Sequence, residues 1–107
     1  MCSRSIKEAH ENAVKHGFWN CYNSLRNSDE ETKQAFESQF LMLIVSEVAE
    51  AQDGLRKGDI DNFKEELADV AIRLADLCGG LGIDLETEII KKMKQNKSRP
   101  YKHGKKF

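Results

Sequence analysis

The chain has 107 residues, enough for a single domain (residues 1–107), and its net charge of −1 argues against general nucleic-acid binding. Hydrophobic residues make up 39% and charged residues 33%, a balance that favours amphipathic helices over a β-sandwich. The three cysteines are odd in number and lack C-x-x-C spacing, so we expect no disulfide framework, no zinc site and a reducing, cytoplasmic environment.

The first predicted helix covers residues 3–16 and is followed by an aromatic stretch at residues 18–22. A capping box, Ser28-x-x-Glu31, then predicts the start of a second helix. This helix should run as far as Gly58, a glycine suited to a helix C-cap.

The third helix should begin at Asp59 and end near Cys78, where the glycines at residues 79–80 weaken it. Asp84 can cap the fourth helix, which should continue to about Asn96. The apolar spacing of these helices is typical of an all-α, four-helix bundle-like protomer. Because small helical domains bury little surface, we expect it to oligomerise through its helices.

Two pairs of acids occupy unusual places on the second and third helices. One stripe of the second helix has spacings of four, three, four and three residues and consists of Phe36, Phe40, Leu43, Glu47 and Glu50. The two glutamates therefore continue an apolar face and should point into the bundle. On the third helix Glu66 and Asp69 form a charged stripe with Arg73 and Asp76, beside the apolar seam.

The short turn at Gly58 makes the two helices antiparallel neighbours, so the two acidic pairs should lie side by side. At about 5 Å and an effective dielectric constant of about 20, each pair of ionised carboxylates repels by about 3 kcal/mol. Binding a cation relieves this repulsion, and oxygen-only ligands favour Mg²⁺, with Mn²⁺ as an alternative. The sequence thus predicts a metal site at Glu47, Glu50, Glu66 and Asp69.

These acids and their surroundings resemble the metal signature of MazG-type pyrophosphohydrolases. The resemblance rests on Glu47-x-x-Glu50, on Glu66-Leu67-Ala68-Asp69 after a fifteen-residue gap, and on the C-terminal residues 92–105. The stretch at residues 17–19 also fits, so the resemblance covers nearly the whole chain. A basic tail, residues 98–107, completes the predicted domain.

The resemblance implies an all-α nucleoside triphosphate pyrophosphatase fold, assembled as a homodimer or homotetramer. It implies Mg²⁺-dependent attack of water on the α-phosphate of a nucleoside triphosphate, dNTPs included, releasing monophosphate and pyrophosphate for housecleaning or control of the nucleotide pool. Glu47 and Glu50 would be catalytic, with Glu47 as the hypothetical base. The residues implied to contact phosphates, sugar or base are Lys92, Asn96, Arg99, Tyr101 and Lys102. Trp19 could stack on the base, but an aromatic residue beside a helix end lies in the core at least as often.

One position departs from the family pattern. Many relatives carry a further glutamate just before the first metal acid, where this chain has Ser46. Ser46 either marks a subgroup or leaves the activation of water to another residue.

Three other functions fit parts of the pattern. A dUTPase-like hydrolase or a phosphoribosyl-ATP pyrophosphohydrolase would share the helical fold and the metal chemistry and differ in the nucleotide pocket. A di-iron bundle needs E-x-x-H motifs, which the metal-bearing helices lack. A non-catalytic helical interaction module would not need acids inside its core. We expect no membrane partner, because the longest apolar run, residues 40–45, is far too short to span a bilayer.

Overall fold

The computed structural model describes residues 3–25 and 28–107 as α-helices joined by short turns. The helices are α1 (Ser3–Lys15), α2 (Asn20–Asn23), α3 (Glu30–Lys57), α4 (Ile60–Leu81) and α5 (Leu85–Lys97), followed by a 3₁₀ turn (Tyr101–Gly104). No strand occurs in these two stretches, so the all-α prediction is confirmed. None of the described helices is both long and apolar enough to span a membrane.

Aspartates cap the N-termini of α3, α4 and α5. Asp29 caps α3 by accepting a hydrogen bond from the Thr32 amide at 2.7 Å. Asp59 and Asp84 cap α4 and α5 in the same way, as predicted. The predicted capping box at Ser28 is wrong, because the cap is one residue later and the Ser28 amide instead donates to a turn carbonyl.

The turn between α3 and α4 makes these helices antiparallel neighbours, as predicted. Gly58 ends α3 with φ 74°, in the left-handed region that favours glycine. Asp59 follows directly as the cap of α4, so the two helices fold back on each other and pack along their length. This hairpin brings the two acidic pairs to the same level.

The end of α4 differs from the prediction. The helix does not stop near Cys78 but continues through Gly79 and Gly80 to Leu81. These glycines serve close packing, because a Cβ on Gly79 would lie 2.7 Å from the Cβ of His10 on α1. A Cβ on Gly80 would overlap the indole ring of Trp19. The glycines thus let α1 and Trp19 press against α4.

The core of the single chain is small and lies between α1, α3 and α4. Its buried apolar residues are Ile6, Trp19, Ala51, Ala75, Leu77 and Cys78. Helix α5 makes few contacts with the other helices. Several large apolar side chains of α3 are about half exposed, namely Leu41, Val45, Val48 and Leu55. This apolar face of α3 is therefore only partly covered within one chain.

Candidate metal centre and adjoining cavity

Three of the four predicted metal ligands converge between α3 and α4. Glu47 comes from α3, while Glu66 and Asp69 come from α4, and each offers a carboxylate oxygen within 4.8 Å of the others. We call these three residues the carboxylate cluster. Antiparallel packing around the turn at Gly58 places them there, since Glu47 and Glu66 lie at similar distances before and after it.

Glu50 lies at the edge of the cluster and is exposed. Its carboxylate does not belong to the group of three, but it is close enough to act on Glu66. The pKa of Glu66 is raised to about 7, first by hydrogen bonding with Glu47, then by burial and by the nearby Glu50. Glu47, Glu50 and Glu66 therefore influence one another's ionisation.

Arg73 compensates part of the negative charge. Its Nε donates a hydrogen bond to Glu47 Oε1 at 2.9 Å, and the Glu47 side chain is only 12% exposed. This hydrogen bond holds the pKa of Glu47 below its ordinary value, against the opposing effect of burial. The neighbouring groups thus lower the pKa of Glu47 and raise the pKa of Glu66.

The cluster has the chemistry of a cation site. Oε2 of Glu47 and Oε2 of Glu66 are both buried and have no hydrogen-bond partner. Buried carboxylate oxygens are costly unless a proton or a cation satisfies them. A shared proton meets that need at low pH, and a divalent cation meets it when the acids are ionised. Because every possible metal ligand in the carboxylate cluster is a carboxylate oxygen, the cluster fits a hard ion such as Mg²⁺ or Mn²⁺.

A cavity of about 580 Å³ opens beside the cluster, between α1, α3 and α4. Its aromatic lining consists of Phe18, Tyr22, Phe36 and Phe40. Its polar and charged lining consists of Asn12, Gln39, Glu47, Asp69, Arg73 and Asp76. Glu47 and Asp69 belong to both the cavity and the cluster, so a ligand in the cavity would directly adjoin a bound cation. A space with aromatic walls and a few polar groups is typical of small-molecule sites.

Trp19 lies in the core, which is one of the two places expected for it, and not at an open base-stacking position. The side chain is 1% exposed, and its ring stacks on Phe40 at a centroid distance of 4.5 Å. Trp19 Nε1 donates to Asp76 Oδ1 at 2.7 Å, which satisfies the buried indole. The ring therefore supports the cavity from behind and presents no open face to a base.

The predicted substrate-binding residues of the C-terminal region do not join the cavity or the cluster. Lys92 contacts Gln95, and Lys102 lies over the ring of its neighbour Tyr101, which is 88% exposed. Arg99 is partly exposed, without a described ion pair. Asn96 has a buried side-chain oxygen with no partner. The single chain thus leaves these five residues apart from the acids, and their roles stay predictions.

The structure adds two residues to the site, Arg73 and Asp76. Both were visible in the sequence as members of the charged stripe that contains Glu66 and Asp69. The spacing from Glu66 through Asp69 and Arg73 to Asp76 is three, four and three residues, so all four side chains share one face of α4. What the sequence did not show is that this face meets α1 and Trp19.

Fold and site together define an all-helical protein with a carboxylate cluster suited to a divalent cation, beside a cavity lined by aromatic and polar side chains. The sequence model of the MazG-like family matches residues 40–107, and the chain belongs to this family. The matched region contains all four acids and α5, whereas α1 and Trp19 lie outside it. Neither the curated proteins nor the solved structures compared with the chain gave a match.

Proposed function

We propose that this protein is a Mg²⁺-dependent pyrophosphohydrolase that converts nucleoside triphosphates, including dNTPs, to the monophosphate and pyrophosphate. Membership of the MazG-like family supports a nucleotide pyrophosphatase-type activity. The observation that carries the proposal is the convergence of Glu47, Glu66 and Asp69 around two buried, unpartnered oxygens. A non-catalytic interaction module would have no reason to carry this energetic cost.

Glu47, Glu66 and Asp69, with Glu50 at their edge, would hold Mg²⁺. When bound, the ion neutralises phosphate charge and makes the α-phosphorus more electrophilic. The four carboxylates would otherwise repel a triphosphate, so the negative face becomes a phosphate site only when a cation covers it.

Of the two predicted catalytic acids, Glu50 is better placed than Glu47 to take the proton of the attacking water. Oε1 of Glu47 already accepts the hydrogen bond from Arg73, which lowers the pKa of Glu47 and weakens it as a base. Glu50 is exposed and outside the tight group of three, so water can reach it. Ser46 does not replace the missing family glutamate, because its hydroxyl donates to the Leu43 carbonyl at 2.6 Å.

The cavity would bind the nucleoside while the triphosphate lies against the cluster. Its aromatic walls provide apolar surface for a base, and Arg73 lies where cavity and cluster meet. A guanidinium at this boundary can bind a phosphate oxygen once a cation takes over the charge of Glu47. Arg73 is the only basic residue among the described cavity-lining residues.

The test is product analysis on a panel of NTPs, dNTPs and phosphoribosyl-ATP, with Mg²⁺ and with a chelator, measuring pyrophosphate and free phosphate separately. We expect monophosphate plus pyrophosphate, lost in chelator. Free phosphate as the first product would mean cleavage at another position and would refute the proposed reaction. A marked preference for dUTP or for phosphoribosyl-ATP would instead identify one of the related hydrolases.

The matched variants are Glu50→Gln and Glu11→Gln. Glu50→Gln should reduce kcat by about a hundredfold or more, the usual size of a general-base contribution. Glu11 is an exposed acid of α1 that pairs with Lys7, so Glu11→Gln should retain full activity. Full activity of Glu50→Gln would remove Glu50 from the mechanism.

A further inference from the structure

Asp76 presents a carboxylate whose two oxygens are used very differently. Oδ1 accepts hydrogen bonds from Trp19 Nε1 at 2.7 Å and from His10 Nδ1 at 3.0 Å. Within the described part of the chain, no hydrogen bond uses Oδ2. The side chain is 14% exposed and lines the cavity. Because the indole N–H can only donate, it fixes which oxygen faces the core and leaves the other for a ligand.

The other polar groups of the cavity wall are less selective. Asn12 and Gln39 carry amides and Tyr22 a hydroxyl, and each of these groups can both donate and accept. Arg73 donates to a carboxylate of the cluster. Among the described wall residues outside the cluster, Asp76 is therefore the one whose side chain, as a carboxylate, can only accept hydrogen bonds. A ligand group that binds beside it has to be a hydrogen-bond donor.

We infer that Asp76 is the specificity-determining residue of the cavity and selects bases that carry the exocyclic amino group of cytosine or adenine. Oδ2 would accept a hydrogen bond from that amino group. Uracil and thymine have a carbonyl oxygen where cytosine has its amino group, and hypoxanthine has one where adenine has its amino group. This inference rests on the proposed function, since it assumes that the cavity holds the base of a nucleotide.

A carbonyl base would be rejected for two reasons. Its oxygen would face the Asp76 carboxylate, so two acceptors would repel and Oδ2 would stay unpaired. The ring N–H of uracil could reach Oδ2 only if the base moved within the cavity. The triphosphate restricts that movement, because the carboxylate cluster that would hold it borders the same cavity.

The experiment compares substrate pairs that differ in this one group. CTP with UTP, and ATP with ITP, exchange an amino group for a carbonyl at nearly constant size. We expect kcat/KM to favour the amino member of each pair by at least about tenfold, because a site that accepts a hydrogen bond from a substrate N–H discriminates strongly against an analogue lacking it. Pyrophosphate release is the readout for all four nucleotides.

Asp76→Asn provides the matched change in the protein. Trp19 Nε1 should hold the asparagine carbonyl in the place of Oδ1, which turns the amide NH₂ toward the cavity. The preference should then fall to near unity or reverse toward UTP and ITP. Asp61→Asn makes the same substitution at an exposed position of α4 outside the cavity and should leave the ratios unchanged.

Two results would overturn the inference while leaving the proposed function intact. One is turnover of all four nucleotides by the unaltered protein with ratios near unity or favouring the carbonyl member. The other is an Asp76→Asn protein with a normal melting temperature and unchanged ratios. If Asp76→Asn does not fold, the ratios of the unaltered protein decide alone. No turnover of any nucleotide would refute the proposed function and this inference together.

Discussion

At the scale of single residues, Glu66 is the group in which the chemistry of the cluster is easiest to observe. Its pKa of about 7, against an ordinary value of 4.5, arises because neighbouring carboxylates and burial disfavour the ionised form. A raised carboxyl pKa contributes stability that is present below the unfolded value and is lost as pH rises through the folded value. The metal-free protein should therefore lose stability at this site between about pH 4.5 and pH 7. Glu47, with a lowered pKa, acts in the opposite direction.

Mg²⁺ should reverse this pH dependence, because the ion and the proton compete for Glu66. We predict that Mg²⁺ raises the melting temperature more at about pH 8 than at about pH 6, since only the ionised carboxylate binds the ion without releasing a proton. Thermal unfolding with and without Mg²⁺ at both pH values measures the difference.

Glu66→Gln is the control for this prediction. Glutamine cannot titrate, so the variant should lose most of the Mg²⁺-induced rise and its dependence on pH. In the absence of metal at about pH 8 it should be more stable than the unaltered protein, because one repulsive charge is gone. An equal Mg²⁺ effect at both pH values, or in the variant, would contradict the assignment of Glu66 as a ligand.

At the scale of helices, contacts between elements override local preference at the end of α4. Two consecutive glycines lower helix propensity, yet the helix continues because the missing side chains make room for α1 and for Trp19. The same contact places Asp76 between His10 and Trp19 and so forms one wall of the cavity. The packing of α4 against α1 is therefore part of the site.

We predict that Gly80→Ala destabilises the protein by about 1–3 kcal/mol, although alanine is the better helix former. The added methyl group would overlap the Trp19 ring, and the ring must move to admit it. Denaturant unfolding of the variant measures the change.

Trp19→Phe supplies the background that tests this cause. The shorter phenylalanine ring should leave room for the methyl group, so Gly80→Ala should cost clearly less in that background than alone. Equal costs in both backgrounds would show that the overlap with Trp19 is not the reason.

At the scale of the whole molecule, the described chain is more extended than a compact domain of its length. Its radius of gyration is 16.4 Å, whereas a compact domain of this length would have about 13 Å. Helix α5 makes few contacts with the rest, and α3 exposes an apolar stripe at Leu41, Val45, Val48 and Leu55. We propose that this stripe packs against a second copy of the chain, in a homodimer or homotetramer.

Val45→Glu should therefore shift the protein toward the monomer, because it places a charge in the centre of the exposed apolar stripe. Light scattering after size exclusion would show the lower mass. Lys7→Glu introduces the same side chain at an exposed position of α1 and should leave the mass unchanged. A monomeric unaltered protein would refute the proposed assembly.

The sequence by itself determined the helical architecture, the helix caps at Asp59 and Asp84, and the position of Glu47 beside Glu66 and Asp69. These features follow from local rules: apolar periodicity, a capping aspartate, and one short turn that forces two helices to run antiparallel. The sequence failed at Ser28 by one residue, where two adjacent residues could both cap a helix.

Only the tertiary structure decided the roles of Trp19, Arg73 and Asp76. Their environments depend on contacts between residues far apart in the chain, such as Trp19 with Asp76 and Arg73 with Glu47. No local pattern specifies which side chain of α1 reaches which face of α4. For the same reason the sequence could mark Trp19 as an aromatic residue near the site, but only packing could decide that it lies behind the cavity wall.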